Sequence, residues 1–140
     1  MSVRYQELAV GQIAVLTRTV SEADVVAYAE LTGDKNPAHL DQAWAERSRF
    51  GGRVAHGMLT AGFISAAMGM QVPGPGTIYL QQTLRFTAPV RIGDTVTVRA
   101  EVVELIAAKR RVRLKTTVVN QRGEPVLDGE ALVMMADENV

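Results

Sequence analysis

The segment MLTAGFISAAMGM, from Met58 to Met70, reads as a helix with almost nothing to show water: Thr60 and Ser65 are its only polar side chains. A helix that is apolar all round has to be buried on every side. It is too short to cross a bilayer, which takes about 20 apolar residues, so the cover must come from protein. FGGRVAHGM leads into the segment and Pro73-Gly74-Pro75-Gly76 stops it. Gly62 and Gly69 leave room on the helix for a backbone or ligand to come close.

The rest of the chain supplies a cover. After the glycine–proline stop the pattern changes to period two. Ile78, Leu80, Gln82, Leu84 and Phe86 alternate with Tyr79, Gln81, Thr83, Arg85 and Thr87. Val96, Val98, Ala100 and Val102 alternate with polar neighbours, and so do Val112, Leu114, Thr116 and Val118. A last strand runs from about Val126 to Met135, with turns at Gly93-Asp94 and Gln121-Arg122-Gly123-Glu124. Alternation of this kind is the mark of an antiparallel sheet with one wetter face. Upstream, Ile13 to Val20 reads as a first strand. Ser21 then reads as an N-cap with Asp24 at the capping-box position, Val25, Tyr28, Ala29 and Thr32 recur at helical spacing, and Gly33 is a C-terminal stop. A short helix is expected from about Asp41 to Ser48. No repeat or linker divides the chain, so the expectation is one α+β domain over residues 1–140, a curved antiparallel sheet wrapped around a buried central helix.

Composition closes off several functions. Lys+Arg and Asp+Glu are both 15, for a formal net charge of zero, which gives no global attraction to nucleic acid or an anionic membrane. The absence of cysteine removes disulfides, thiolate metal sites and a cysteine nucleophile together. MSVRYQELAVGQ lacks the apolar run of a signal peptide, so a soluble cytoplasmic protein is expected. In AAKRRVRLK, Arg111, Arg113 and Lys115 share one strand face. No aromatic residues interleave with them as single-strand binders require. They fit a solvated face, or in part a contact with the phosphates of a carrier such as coenzyme A. No glycine-rich phosphate loop sits between a strand and a helix.

One stretch carries chemistry. GDKNPAHLD places Asp34, Asn36 and His39 within a few residues, just after a helix ends, and Pro37 keeps Asn36 out of the helical region. A carboxylate and an imidazole can share one water, one group taking a proton while the other delivers or accepts a second, and imidazole titrates near neutrality. The same residues also suit a helix C-cap and turn in which Asp34 and Asn36 bond local amides. His56-Gly57 stands where the apolar helix begins. The unpaired N–H groups there suit a developing oxyanion, although Gly57 also serves a plain turn with His56 packed beside it. Ser65 can bond a catalytic group, line a pocket, or bond the carbonyl four residues back. A hydrolytic Ser65–His39–Asp34 triad would lack the strained GxSxG elbow. His39 and His56 have no cysteine partners and no close ligand spacing in sequence, so neither a metal nor another cofactor is expected. Phe63, Met68, Met70, Leu80 and the PGPGTIYL segment are candidates for lining a pocket, or for ordinary core. Ala61, Gly62, Ala66 and Ala67 leave space beside the helix.

Taken together, GDKNPAHLD, AHGMLTAGFIS and PGPGTIYLQQTLRFTAPVRIGD resemble the MaoC-like (R)-specific enoyl-CoA hydratases, over Tyr5 to about Met135. The resemblance implies a hot-dog domain that pairs into a homodimer. It implies a hydro-lyase acting in fatty-acid metabolism or polyhydroxyalkanoate precursor supply. The reaction would be reversible syn hydration of a trans-2-enoyl-CoA to an (R)-3-hydroxyacyl-CoA. By resemblance Asp34 and His39 are the catalytic pair, Gly57 supplies the N–H for the thioester oxygen, and Asn36 and Ser65 support them. The alternatives are dehydration of a 3-hydroxyacyl group on acyl carrier protein and, less well matched, an acyl-CoA thioesterase. Members of that last class commonly carry an acid on the central helix, and Met58 to Met70 has none.

Overall fold

The computed structural model describes residues 5–136. Strand β1 (Ile13–Thr19) leads into helix α1 (Glu22–Thr32), the short helices α2 (Pro37–Leu40) and α3 (Gln42–Glu46), and the long helix α4 (Gly57–Met70). Strands β2 (Thr77–Gln82), β3 (Arg85–Phe86), β4 (Thr95–Ile106), β5 (Arg111–Val119) and β6 (Pro125–Met135) follow. They form one antiparallel sheet in the order β1-β4-β5-β6-β2, with β3 also on β6.

Period two sorts the sheet into faces. Val96, Val98, Ala100 and Val102 of β4 and Val112, Leu114, Thr116 and Val118 of β5 are buried on one side. They meet Ile64, Ala67 and Met68 of α4 in a single core. Each fully buried aliphatic side chain contributes about 1.5–3 kcal/mol. On the other face Glu101 stands opposite Lys115, and Lys115 opposite Glu130. Arg113 bonds Glu104 and Glu130, both at 2.9 Å. In the basic stretch Arg113 is thus salt-bridged on the outer face, with Lys115 set between two glutamates. Bulges between Val102 and Glu104 on β4 and between Tyr79 and Gln81 on β2 bend the sheet around the helix.

Three expectations need correction. The sheet wraps around α4 as expected, but it does not bury the helix on every side. Thr60, Ala61, Ile64, Ala67 and Met68 are buried, but Gly57, Met58, Gly62, Ser65 and Met70 are exposed, Met58 at 55% and Met70 at 76%. A sheet this size curves over one side of a helix, so the apolar composition on the other side has no cover among the described residues. The strand expected over Ile78 to Thr87 is broken into β2 and β3, and the bulge leaves Ile78 and Leu80 exposed rather than inward. His39, expected in a turn after α1, lies on a helical turn of its own that Pro37 opens at its first position.

The two edges of the sheet differ. At β1 the Gln71 side chain occupies Val15: its Oε1 accepts from the Val15 N–H at 3.0 Å and its Nε2 donates to the Val15 carbonyl at 2.7 Å. The opposite edge, β2, ends the strand order with Ile78, Tyr79 and Leu80 all exposed.

Candidate active site

The site segment is held by its backbone. Ser21 and Asp24 form the expected capping box on α1, and Gly33 ends that helix in the left-handed conformation. The Thr32 hydroxyl donates to the Tyr28 carbonyl and accepts from the Asp34 N–H at 3.1 Å. The Asp34 Oδ1 accepts from the Asn36 N–H at 3.3 Å, and the Asn36 Oδ1 accepts from the Ala38 N–H at 3.0 Å as the N-cap of α2. Asp41 caps α3 through the Trp44 N–H. Local amide bonding and proton chemistry, weighed above as alternatives for Asp34 and Asn36, are compatible in the same turn. Each carboxylate has two oxygens, and Asp34 uses one.

A second set of bonds fastens the turn to the strand-like stretch before α4. The Val54 N–H donates to the Ala38 carbonyl at 3.1 Å. The Arg53 Nε donates to the His39 carbonyl at 2.6 Å, and its guanidinium, 14% exposed, reaches Glu22 of α1 at 2.8 Å. His39 Nδ1 lies 2.8 Å from the Val54 carbonyl. A carbonyl oxygen only accepts, so Nδ1 carries the proton and Nε2 is the nitrogen left for chemistry.

Asp34, Asn36, His39, His56, Gly57 and Phe86 border one cleft of about 650 Å³, with Tyr28, Phe50, Ala88 and Leu127 among its apolar walls. Helix α4 opens into it at Gly57 with no side-chain cap, so the positive end of the helix dipole is left for a ligand. A methyl group on Gly57 would meet the Phe86 ring at 2.7 Å, so the close fit of ring and backbone there requires glycine. Ser65 is not in the cleft. It lies about 12 Å along α4 from Gly57 and is exposed on the uncovered face, contrary to the expectation of a serine deep in a buried helix. Phe63, Met68, Met70 and Leu80 do not line the cleft either. Met68 is core and Met70 is solvent-exposed.

Two features escaped the sequence. Phe86, 52% exposed, covers the start of α4 from a strand of two residues, and no spacing rule points to it. His56, 2% exposed, stacks on His39 with ring centroids 3.8 Å apart and planes 27° apart. Sequence distance had separated the two histidines. One side-chain oxygen or nitrogen from each of Asp34, His39 and His56 falls within 4.8 Å of the others, which raises a metal centre. The stacking argues against it. Imidazole lone pairs lie in the ring plane, so stacked rings point them side by side rather than at one ion. The arrangement suits proton transfer.

A curved antiparallel sheet over one helix, with a carboxylate and an imidazole poised above that helix's N-terminus, defines a hot-dog protein of the hydratase and dehydratase type. The chain belongs to the MaoC-like family: the MaoC like domain matches residues 8–124. It is 54% identical to a 3-hydroxybutyryl-CoA dehydratase of Methylorubrum extorquens, over 92% of this chain and 82% of that one. It is 47% identical to an (R)-specific enoyl-CoA hydratase of Rhodospirillum rubrum, over 94% and 90%. Among solved structures, the unliganded R-hydratase PhaJ1 of Pseudomonas aeruginosa superposes with a TM-score of 0.91 at 50% identity, covering 98% of this chain and 88% of that one.

Proposed function

We propose that the protein is an (R)-specific enoyl-CoA hydratase, a hydro-lyase that reversibly adds water to a trans-2-enoyl-CoA. The observation that carries the reading is the pairing of the Asp34 carboxylate and the free His39 Nε2 on one cleft, over the uncapped start of α4. A water held between the two groups gives its oxygen to C3 while a proton reaches C2 from the same side. The electron pair of the double bond moves toward the thioester oxygen, and the Gly57 N–H stabilises the enolate charge that develops there. Asn36 acts by capping the turn that carries His39. Conjugate addition of this kind calls for no electron transfer, which fits the protein groups in the cleft. Coenzyme A is taken as the carrier because the two relatives above are named for CoA thioesters.

The uncovered face of α4 and the open edge of β2 support a homodimer, with Ser65 serving the site from that interface. Among the described residues no helix is long and apolar enough to cross a membrane. A single domain working in the cytoplasm, feeding (R)-3-hydroxyacyl-CoA to fatty-acid metabolism or polyhydroxyalkanoate synthesis, completes the proposal. The test is loss of the enoyl-thioester absorbance with crotonyl-CoA and with a longer trans-2-enoyl-CoA. Release of free thiol instead would indicate a thioesterase. No change in either signal, with activity restored on an enoyl-acyl carrier protein, would move the carrier from CoA to protein.

A further inference from the structure

We propose that His56 is a positioning residue that holds both members of the catalytic pair in register with the oxyanion end of α4. The inference rests on the hydratase reading above. Three contacts converge on this side chain. Its Nε2 lies 2.9 Å from the Asp34 carbonyl oxygen, so Nε2 bears the proton and donates to the backbone of the acid. Its ring stacks at 3.8 Å on His39. It also meets the Tyr28 ring of α1, centroids 4.6 Å apart at 53°. The residue is also the N-cap of α4, and its own carbonyl accepts the Leu59 N–H at 3.1 Å. One residue thus connects the backbone of the acid and the ring of the base, through its side chain, with the first turn of the helix, through its backbone carbonyl.

Burial fixes its chemical form. His56 Nδ1 is buried and has no partner among the described residues. That suits the lone-pair side of imidazole, because an N–H placed there would go unpaired at a cost of about 1–3 kcal/mol. His56 is therefore a donor to Asp34 and a flat support for His39, not a proton carrier in the reaction. Its effect comes through geometry, and a misplacement of about 1 Å in a catalytic group can lower the rate on the order of 10²-fold.

Two substitutions divide the contacts. His56→Phe keeps a ring in the stack and removes the N–H. His56→Gln keeps an N–H that reaches the Nε2 position and removes the ring. With crotonyl-CoA, His56→Phe is expected to lower kcat by about 10–100-fold, with KM changed less than about threefold. His56→Gln is expected to recover at least about half of that loss on a logarithmic scale and to keep both limbs of the wild-type pH–rate profile. Unchanged kcat in His56→Phe overturns the proposal. So does a missing limb in His56→Gln, which would make His56 a proton carrier. So does an equal loss in both variants that tracks their thermal midpoints, which would make its role purely structural. The stack has a readout independent of turnover: the His39 ring C–H resonances should lie upfield in the wild type and move downfield in His56→Gln, and their absence from the upfield position in the wild type would remove the stack. Failure of the wild type to hydrate any enoyl thioester would overturn the hydratase reading and leave the spectroscopic result standing.

Discussion

Along β5 every second side chain, Val112, Leu114, Thr116 and Val118, is sealed from solvent. Along the segment from Gly33 to Asp41 no side chain is buried at all. The strand keeps its shape because its side chains have nowhere else to go. The segment keeps its shape because its backbone is tied by Thr32, Asn36, Arg53, Val54 and His56. On the proposed function, the difference teaches that stability and chemistry occupy largely separate residues in this chain. Substitutions in the strand should cost folding and leave the site intact in whatever remains folded. Substitutions in the segment should do the reverse.

The largest expected effect tests the segment. Asp34→Asn and His39→Ala should each lower kcat by about 10²–10⁴-fold, some 3–5 kcal/mol in the barrier. The first should leave the fold unchanged. The second should cost about 1 kcal/mol of stability through the lost bond to Val54. Denaturant titration beside steady-state kinetics checks both, and near-normal hydration by either variant breaks the separation. Leu114→Ala tests the strand. Removing this fully buried side chain should cost about 2–5 kcal/mol, with kcat per folded molecule close to wild type. A smaller loss of stability is expected at the crossing of β3 and β6. A methyl group on Gly129 would overlap the Thr83 backbone carbonyl, so Gly129→Ala should cost about 1–3 kcal/mol. A denaturation midpoint equal to that of the wild type would show that the crossing can open. The smallest effect sits between the two regions. Asn36→Ala removes the cap of α2 for about 1 kcal/mol or less, and should lower kcat several-fold with little change in KM as the turn carrying His39 loosens. A rise in KM alone would assign Asn36 to binding.

The same difference explains what could be read without coordinates. The sheet was legible because alternation at Val96 to Val102 and Val112 to Val118 reports burial directly. The capping box at Ser21 and Asp24 was legible because it is a local pattern of side chains on amides. Asp34, His39 and Gly57 could be picked out by residue type, and they do share one cleft. The cover on α4 was misjudged because an apolar composition shows that a face needs burial and says nothing of who buries it. Ser65 was misplaced by the same argument. The stack of His56 on His39 was not legible, because the two are brought together by bonds from Arg53 and Val54 to a turn many residues upstream. The break between β2 and β3 depends on a bulge, which alternation alone does not mark.

The separation of regions has force only if the cleft adds water to one face of an enoyl thioester. The most direct measurement is hydration of crotonyl-CoA in deuterium oxide, with the configuration at C2 and C3 of the product assigned by NMR after chiral derivatisation. The account predicts a single (R)-3-hydroxy diastereomer with deuterium and hydroxyl on the same face. An (S)-3-hydroxy product, anti addition or a mixture at C2 would contradict it.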